Sequence, residues 1–131
     1  MNFFRPKILI VEDEPSLRES ISLYLQEKNM DVLEAESVQD AFRMVEREAP
    51  HAVLLDIYLG KELGLDLAIR IAESEILFRK PKILLMSGTV GGELLKTQQF
   101  RLDNQVDGFI KKPFALDELE FELVTILKLA P

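Results

Sequence analysis

Apolar residues along the chain fall into two alternating textures. Short continuous runs occur at Lys7–Val11 (KILIV), Val32–Ala35, Ala52–Asp56, Lys82–Met86 (KILLM) and Phe109–Lys111, and these read as strands. Most are apolar throughout rather than alternating, as expected of strands covered on both faces. Between them, Leu17, Ile21, Tyr24 and Leu25 recur at helical spacing. So do Val38, Ala41, Phe42, Val45 and Ala49, behind a cap at Ser37 with Asp40 three residues on. Leu65 to Ala72 forms a shorter third helix after Gly64, and Glu93 to Phe100 a weaker fourth. Leu116, Leu119, Leu123, Ile126 and Leu127 make an amphipathic fifth. A strand followed by a helix, five times over, predicts an α/β fold: a doubly wound parallel sheet with helices on both faces and right-handed crossovers.

The polar residues sit where the strands end. The first run stops at Glu12, Asp13 and Glu14, the third at Asp56, the fourth at Ser87 and the fifth at Lys111, Lys112 and Pro113. In a parallel sheet all C-terminal strand ends lie along one edge, which is where open α/β sheets place their ligands. Asp56 is the sharpest of these, because it closes an apolar run (Ala52–Leu55) and a buried charge is costly unless paired. Each residue taken alone has an ordinary structural reading. A strand-end carboxylate often caps a helix, Ser87 suits a turn, and a lone lysine is usually solvated. Together they form a chemical set. Carboxylates without His or Cys are hard ligands for Mg²⁺ or Mn²⁺. A lysine and a hydroxyl hold phosphate oxygens, and a carboxylate facing both is placed to become an aspartyl phosphate. His51 opens a strand and reads as structural, while Phe3 and Phe4 read as cover for the sheet edge or as a frayed terminus.

Composition narrows the classes further. Length (131 residues), 47% hydrophobic and 30% charged residues fit a single globular domain, 1–131. A net charge of -7 argues against non-specific binding to nucleic acid or to anionic membranes. The absence of cysteine removes disulfides, zinc thiolates and thiol catalysis. No secretory leader and no run of about 18 apolar residues is present, so a soluble cytoplasmic location is expected.

Four stretches, "ILIVEDEPSLRESI", "AVLLDIYLGKELGLDL", "KILLMSG" and "DGFIKKPFALDEL", resemble in order and separation the blocks of the response-regulator receiver domain of two-component signalling. The resemblance runs from about Lys7 to Leu127. It implies a flavodoxin-like five-stranded parallel sheet of order 2-1-3-4-5 with five helices. It implies that Asp56 accepts a phosphoryl group from the phosphohistidine of a sensor histidine kinase or phosphotransfer protein. Asp13, Asp56 and the backbone carbonyl of Tyr58 would hold Mg²⁺ (or Mn²⁺), with Glu12 acting mainly through water. Ser87 would donate to the phosphoryl group, Lys112 would neutralise it, and Lys111 would face solvent. The Lys112–Pro113 bond is expected to be cis. Phe109 matches the aromatic switch position, without the hydroxyl of a tyrosine. Tyr58 and Thr89 would flank the phosphate.

The same resemblance implies that the fourth helix, fifth strand and fifth helix form a readout face for a downstream protein or an output domain, with a phosphorylation-linked homodimer as one outcome. On the fifth helix Phe121 and Val124 lie off the predicted buried stripe, beside Asp117 and Lys128. The chain departs from the family at Gly60, where many members carry proline, so the loop after Asp56 is expected to be more mobile. It departs again in a longer segment around Gly91 and Gly92, between the fourth and fifth strands. The chain ends soon after its last helical pattern, which fits a stand-alone receiver and equally a domain cut from a longer regulator. The expected activity is that of a phosphoacceptor that assists its own phosphorylation and slow autodephosphorylation, not of a turnover enzyme. Two alternatives remain. A phosphorylation-independent interaction module of this fold would usually lose an acid or the lysine. A small aspartyl-phosphate phosphatase would carry a second Asp where Tyr58 stands.

Overall fold

The computed structural model of the chain describes residues 4–88 and 106–129. The elements follow the alternation of the sequence: β1 (Lys7–Val11), α1 (Pro15–Glu27), β2 (Asp31–Ala35), α2 (Val38–Glu48) and β3 (Ala52–Asp56). A hairpin, β4 (Tyr58–Leu59) and β5 (Glu62–Leu63), then leads into α3 (Leu65–Glu73), β6 (Lys82–Ser87), β7 (Gly108–Lys111) and α4 (Leu116–Leu127). β2, β1, β3, β6 and β7 lie side by side in that order, all parallel, which is the predicted 2-1-3-4-5 arrangement. Four helices are described, and α4 is the fifth helical pattern of the sequence. The expected helix at Glu93 to Phe100 lies outside the described residues, as do Phe3, Thr89, Gly91 and Gly92. No helix among the described residues is long and apolar enough to cross a membrane.

Strand alternation divides the interior into two cores. Leu9, Val11, Val53, Leu55, Ile83 and Leu85 point to one face and meet Val38, Ala41 and Val45 of α2 and Leu67, Ala68 and Ile71 of α3. Ile8, Ile10, Leu54, Leu84, Met86 and Ile110 point to the other and meet Ile21 and Leu25 of α1 and Leu119, Leu123 and Ile126 of α4. A period of two in the strands therefore explains why the runs are apolar throughout: each residue has a helix above or below it. At roughly 1.5–3 kcal/mol for each large apolar side chain buried, these two layers fix the sheet's register. The helix starts follow local chemistry. Ser37 accepts from the Asp40 N–H at α2, as its spacing predicts, and Glu14 accepts from the Ser16 and Leu17 N–H groups at α1.

Two expectations are corrected. Residues 58–63, expected as a loop, form an antiparallel hairpin in which Tyr58 pairs with Leu63 and Leu59 with Glu62. Gly60 turns it at φ +60°, a conformation that costs glycine little and that proline, held near -65°, cannot adopt. On α4, Val124 is half-buried against the core that α1 and α4 share, while Phe121 is exposed.

His51 has the structural role expected of it. Its Nδ1 accepts from the Lys7 N–H at 2.9 Å while its own N–H donates to the Lys7 carbonyl, and the Phe4 ring meets it edge-on at 4.9 Å. Burial, then the Arg79 and Lys7 cations, hold its pKa below the ordinary 6.5. The stability it contributes is therefore present above pH 6.5 and lost as pH falls through the depressed pKa. Because this is the chain's one histidine, proton NMR of its ring reads the midpoint directly, and we expect it below 6.5. A midpoint above that value would contradict the Nδ1 hydrogen bond.

Candidate phosphoacceptor site at the strand ends

The C-terminal edge of the sheet gathers what the sequence places there. β1 runs into Glu12 and Asp13, β3 ends in Asp56, β6 ends in Ser87, and β7 delivers Lys111 and Lys112. Lys112 is set by its backbone, whose N–H donates to the Ser87 carbonyl at 2.6 Å; the Lys112–Pro113 peptide that follows is cis, as expected. Its Nζ then reaches between the strand ends, donating to Asp56 Oδ2 at 2.5 Å and to Glu12 Oε1 at 2.7 Å. Lys111, by contrast, is exposed.

These contacts answer the cost of a carboxylate at the end of a buried strand. Glu12 is 1% exposed, and its second oxygen accepts from the Glu14 N–H at 3.1 Å. Asp56 spends its other oxygen on the Tyr58 N–H at 3.1 Å. Burial raises the Glu12 pKa, the Lys112 and Glu14 hydrogen bonds oppose that rise, and the nearby Asp56 charge adds to it. For Lys112 burial would lower the pKa, but the bonds to Asp56 and Glu12 outweigh it and hold the ammonium charged above the ordinary lysine range.

Asp13 is exposed, with Glu12 and Asp56 beside it; one oxygen of each carboxylate lies within 4.8 Å of the others. This donor set is all oxygen and contains no His or Cys, which suits a hard divalent cation such as Mg²⁺ or Mn²⁺. Tyr58 is half-exposed beside the cluster, and Thr89 lies outside the described residues. Ser87 is buried at the end of β6, and Phe109 sits on β7 opposite Leu85. By strand alternation Ser87 shares a face with Leu85, and Phe109 packs against that same core. The hydroxyl and the ring are thus on one side of the sheet, within one pleat of each other.

Several supporting residues carry no sequence signal. Arg18 on α1 donates to the Glu12 carbonyl at 2.8 Å and pairs with Glu34 at 3.0 Å, tying α1 and β2 to the acidic loop after β1. A Cβ on Gly64 would collide with the Asp56 carbonyl oxygen, so only glycine lets the hairpin close back on β3. Glu14, one of the three acids after β1, belongs to the helix cap rather than to the cluster.

The response regulator receiver domain model matches residues 8–123. The chain belongs to that family. This receiver domain is 36% identical over 121 residues to the phosphate regulon transcriptional regulatory protein PhoB of Pseudomonas aeruginosa, covering 92% of this chain and 51% of that protein. It is 29% identical over 126 residues to the transcriptional regulatory protein TrcR of Mycobacterium tuberculosis, covering 93% and 45%. The receiver domain thus spans about half the length of the curated relatives it matches. Two solved structures share the fold. A response regulator from Thermotoga maritima has 26% identity and a TM-score of 0.78, covering 95% of this chain and 99% of that one. A signal receiver domain from Bermanella marisrubri has 26% identity and a TM-score of 0.81, with the same coverage.

Removing the ammonium would leave Glu12 and Asp56 facing each other. We expect Lys112→Met to destabilise the receiver domain by about 2 kcal/mol at pH 7.5. The loss should be smaller at pH 5, because a proton taken up by Glu12 relieves the repulsion. Urea unfolding at the two pH values measures both, and an equal loss at each would contradict the pairing.

Proposed function

We propose that this receiver domain takes a phosphoryl group from the phosphohistidine of a sensor histidine kinase or phosphotransfer protein onto Asp56. One observation carries the reading: Lys112 Nζ is bonded at once to Asp56 and Glu12, with Asp13 alongside, where three strands end. An Asp56 oxygen attacks phosphorus, the P–N bond breaks, and the departing imidazole nitrogen keeps the electron pair. Lys112, already charged and aimed at Asp56, offsets the charge on the transferring group without reorganising. Glu12, Asp13, Asp56 and the Tyr58 carbonyl are the residues that would hold Mg²⁺ or Mn²⁺, which when bound would neutralise phosphoryl charge.

The domain is a phosphoacceptor rather than a turnover enzyme. Position 58 holds a half-exposed tyrosine in place of the second Asp that a phosphatase of this chemistry needs, and its bulk beside the cluster restricts attacking water. Ser87 and Phe109, on one face of the sheet, form the switch that carries the new charge to the surface of β7 and α4, where Phe121 is exposed. That face, with the fourth helix of the resemblance, controls a downstream protein, an output domain or a second copy. The names of the relatives, transcriptional regulatory proteins about twice this length, favour an output domain.

Acetyl phosphate with Mg²⁺ should put acid-labile phosphate on the wild-type domain, and Asp56→Asn or excess EDTA should each abolish the labelling. Undiminished labelling of Asp56→Asn would overturn the assignment.

A further inference from the structure

The hairpin after Asp56 is held at three points. Its base is closed by the Gly64 N–H, which donates to the Ile57 carbonyl at 2.6 Å. Leu59 is buried in the core beneath α2 and α3. On its outer strand Glu62 Oε1 accepts from the Val38 N–H at 3.2 Å, the first residue of α2. The Val38 N–H is one of the amides that a helix N-terminus leaves without an intrahelical partner, and Ser37 spends its hydroxyl on Asp40 instead. Glu62 therefore anchors the hairpin to α2 through a donor that the helix itself does not use, at the end where its dipole favours a carboxylate.

What the hairpin carries is the site. Tyr58, paired with Leu63 next to Glu62, gives its N–H to Asp56 Oδ1. At the turn, Gly60 lies so close to the acidic cluster that a Cβ there would be 3.7 Å from Asp13 Oδ2. A shift of the hairpin moves the donor to the phosphoacceptor and the wall beside the outer carboxylate together.

We propose that Glu62 is a positioning residue for the phosphoacceptor site: by tying the β4–β5 hairpin to the N-terminus of α2 it holds the Tyr58 amide on Asp56 and the hairpin tip against Asp13. This rests on the reading of Glu12, Asp13 and Asp56 as a metal and phosphoryl site, but its geometry is testable without metal. Amide hydrogen exchange of Tyr58 reads the Asp56 bond directly, and Mn²⁺ titration reads the cluster. Glu62→Ala should speed Tyr58 exchange by about tenfold and weaken Mn²⁺ binding by about tenfold. Glu62→Gln keeps an acceptor oxygen and should restore both. Ser37→Ala weakens the same helix end without touching the hairpin, and should leave both unchanged while lowering Tm as Glu62→Ala does. Tyr58 exchange unchanged in Glu62→Ala, or changed equally in Ser37→Ala, would overturn the proposal. If the wild-type domain binds no Mn²⁺ while Glu62→Ala still speeds Tyr58 exchange and Ser37→Ala does not, the positioning role stands and only the metal reading is refuted.

Discussion

Among the described residues Lys112 is the one cation that reaches between Glu12 and Asp56, and the arrangement of the strand ends depends on it. Glu12 is almost entirely enclosed and Asp56 closes a strand whose other four residues are buried. Two such carboxylates brought together would repel, and each would pay for lost hydration. The lysine answers both costs at once. It comes from β7, on the far side of β6, so the bonds reach across four of the five strands and require β1, β3 and β7 to hold their relative heights. The two apolar cores enforce those heights, since a slip of one residue in any strand would exchange its faces.

The arrangement also leaves room for a ligand beside the ion pair. A fully satisfied ion pair would leave no capacity for a ligand. Here Asp13 stays exposed beside the pair, and the lysine's own pairing is with the residue proposed to accept the phosphoryl group. Under the proposed phosphorylation, new charge at Asp56 would compete directly for Lys112, whose backbone N–H is held by the Ser87 carbonyl. In that proposal the coupling from site to surface would begin as a redistribution of hydrogen bonds among neighbouring strand ends, with Phe109 in register with Leu85 on the next strand.

Much of this was legible in the residues. β1 and β3 have the bounds that the apolar runs predict, because a strand covered on both faces leaves a continuous hydrophobic signature. The convergence of Glu12, Asp13, Asp56, Ser87 and Lys112 followed from topology alone, since parallel strands align their ends. The hairpin did not show. Two-residue strands have no periodicity to read, and in "YLGKEL" only Leu59 faces the core. Val124 was misplaced because the buried face of α4 is wider than its leucine stripe, reaching toward α1. Arg18 and Glu62 were invisible for a different reason. Their partners, the Glu12 carbonyl and the Val38 amide, are backbone groups that every sequence possesses.

The central claim is that Asp56, among three neighbouring acids, is the one that forms the acyl phosphate. Reductive trapping tests it most directly. The domain is treated with acetyl phosphate and Mg²⁺, reduced with borohydride, digested and sequenced by mass spectrometry. Homoserine is expected at position 56, with Glu12 and Asp13 unmodified. Reduction at Glu12 or Asp13 with Asp56 intact would contradict it.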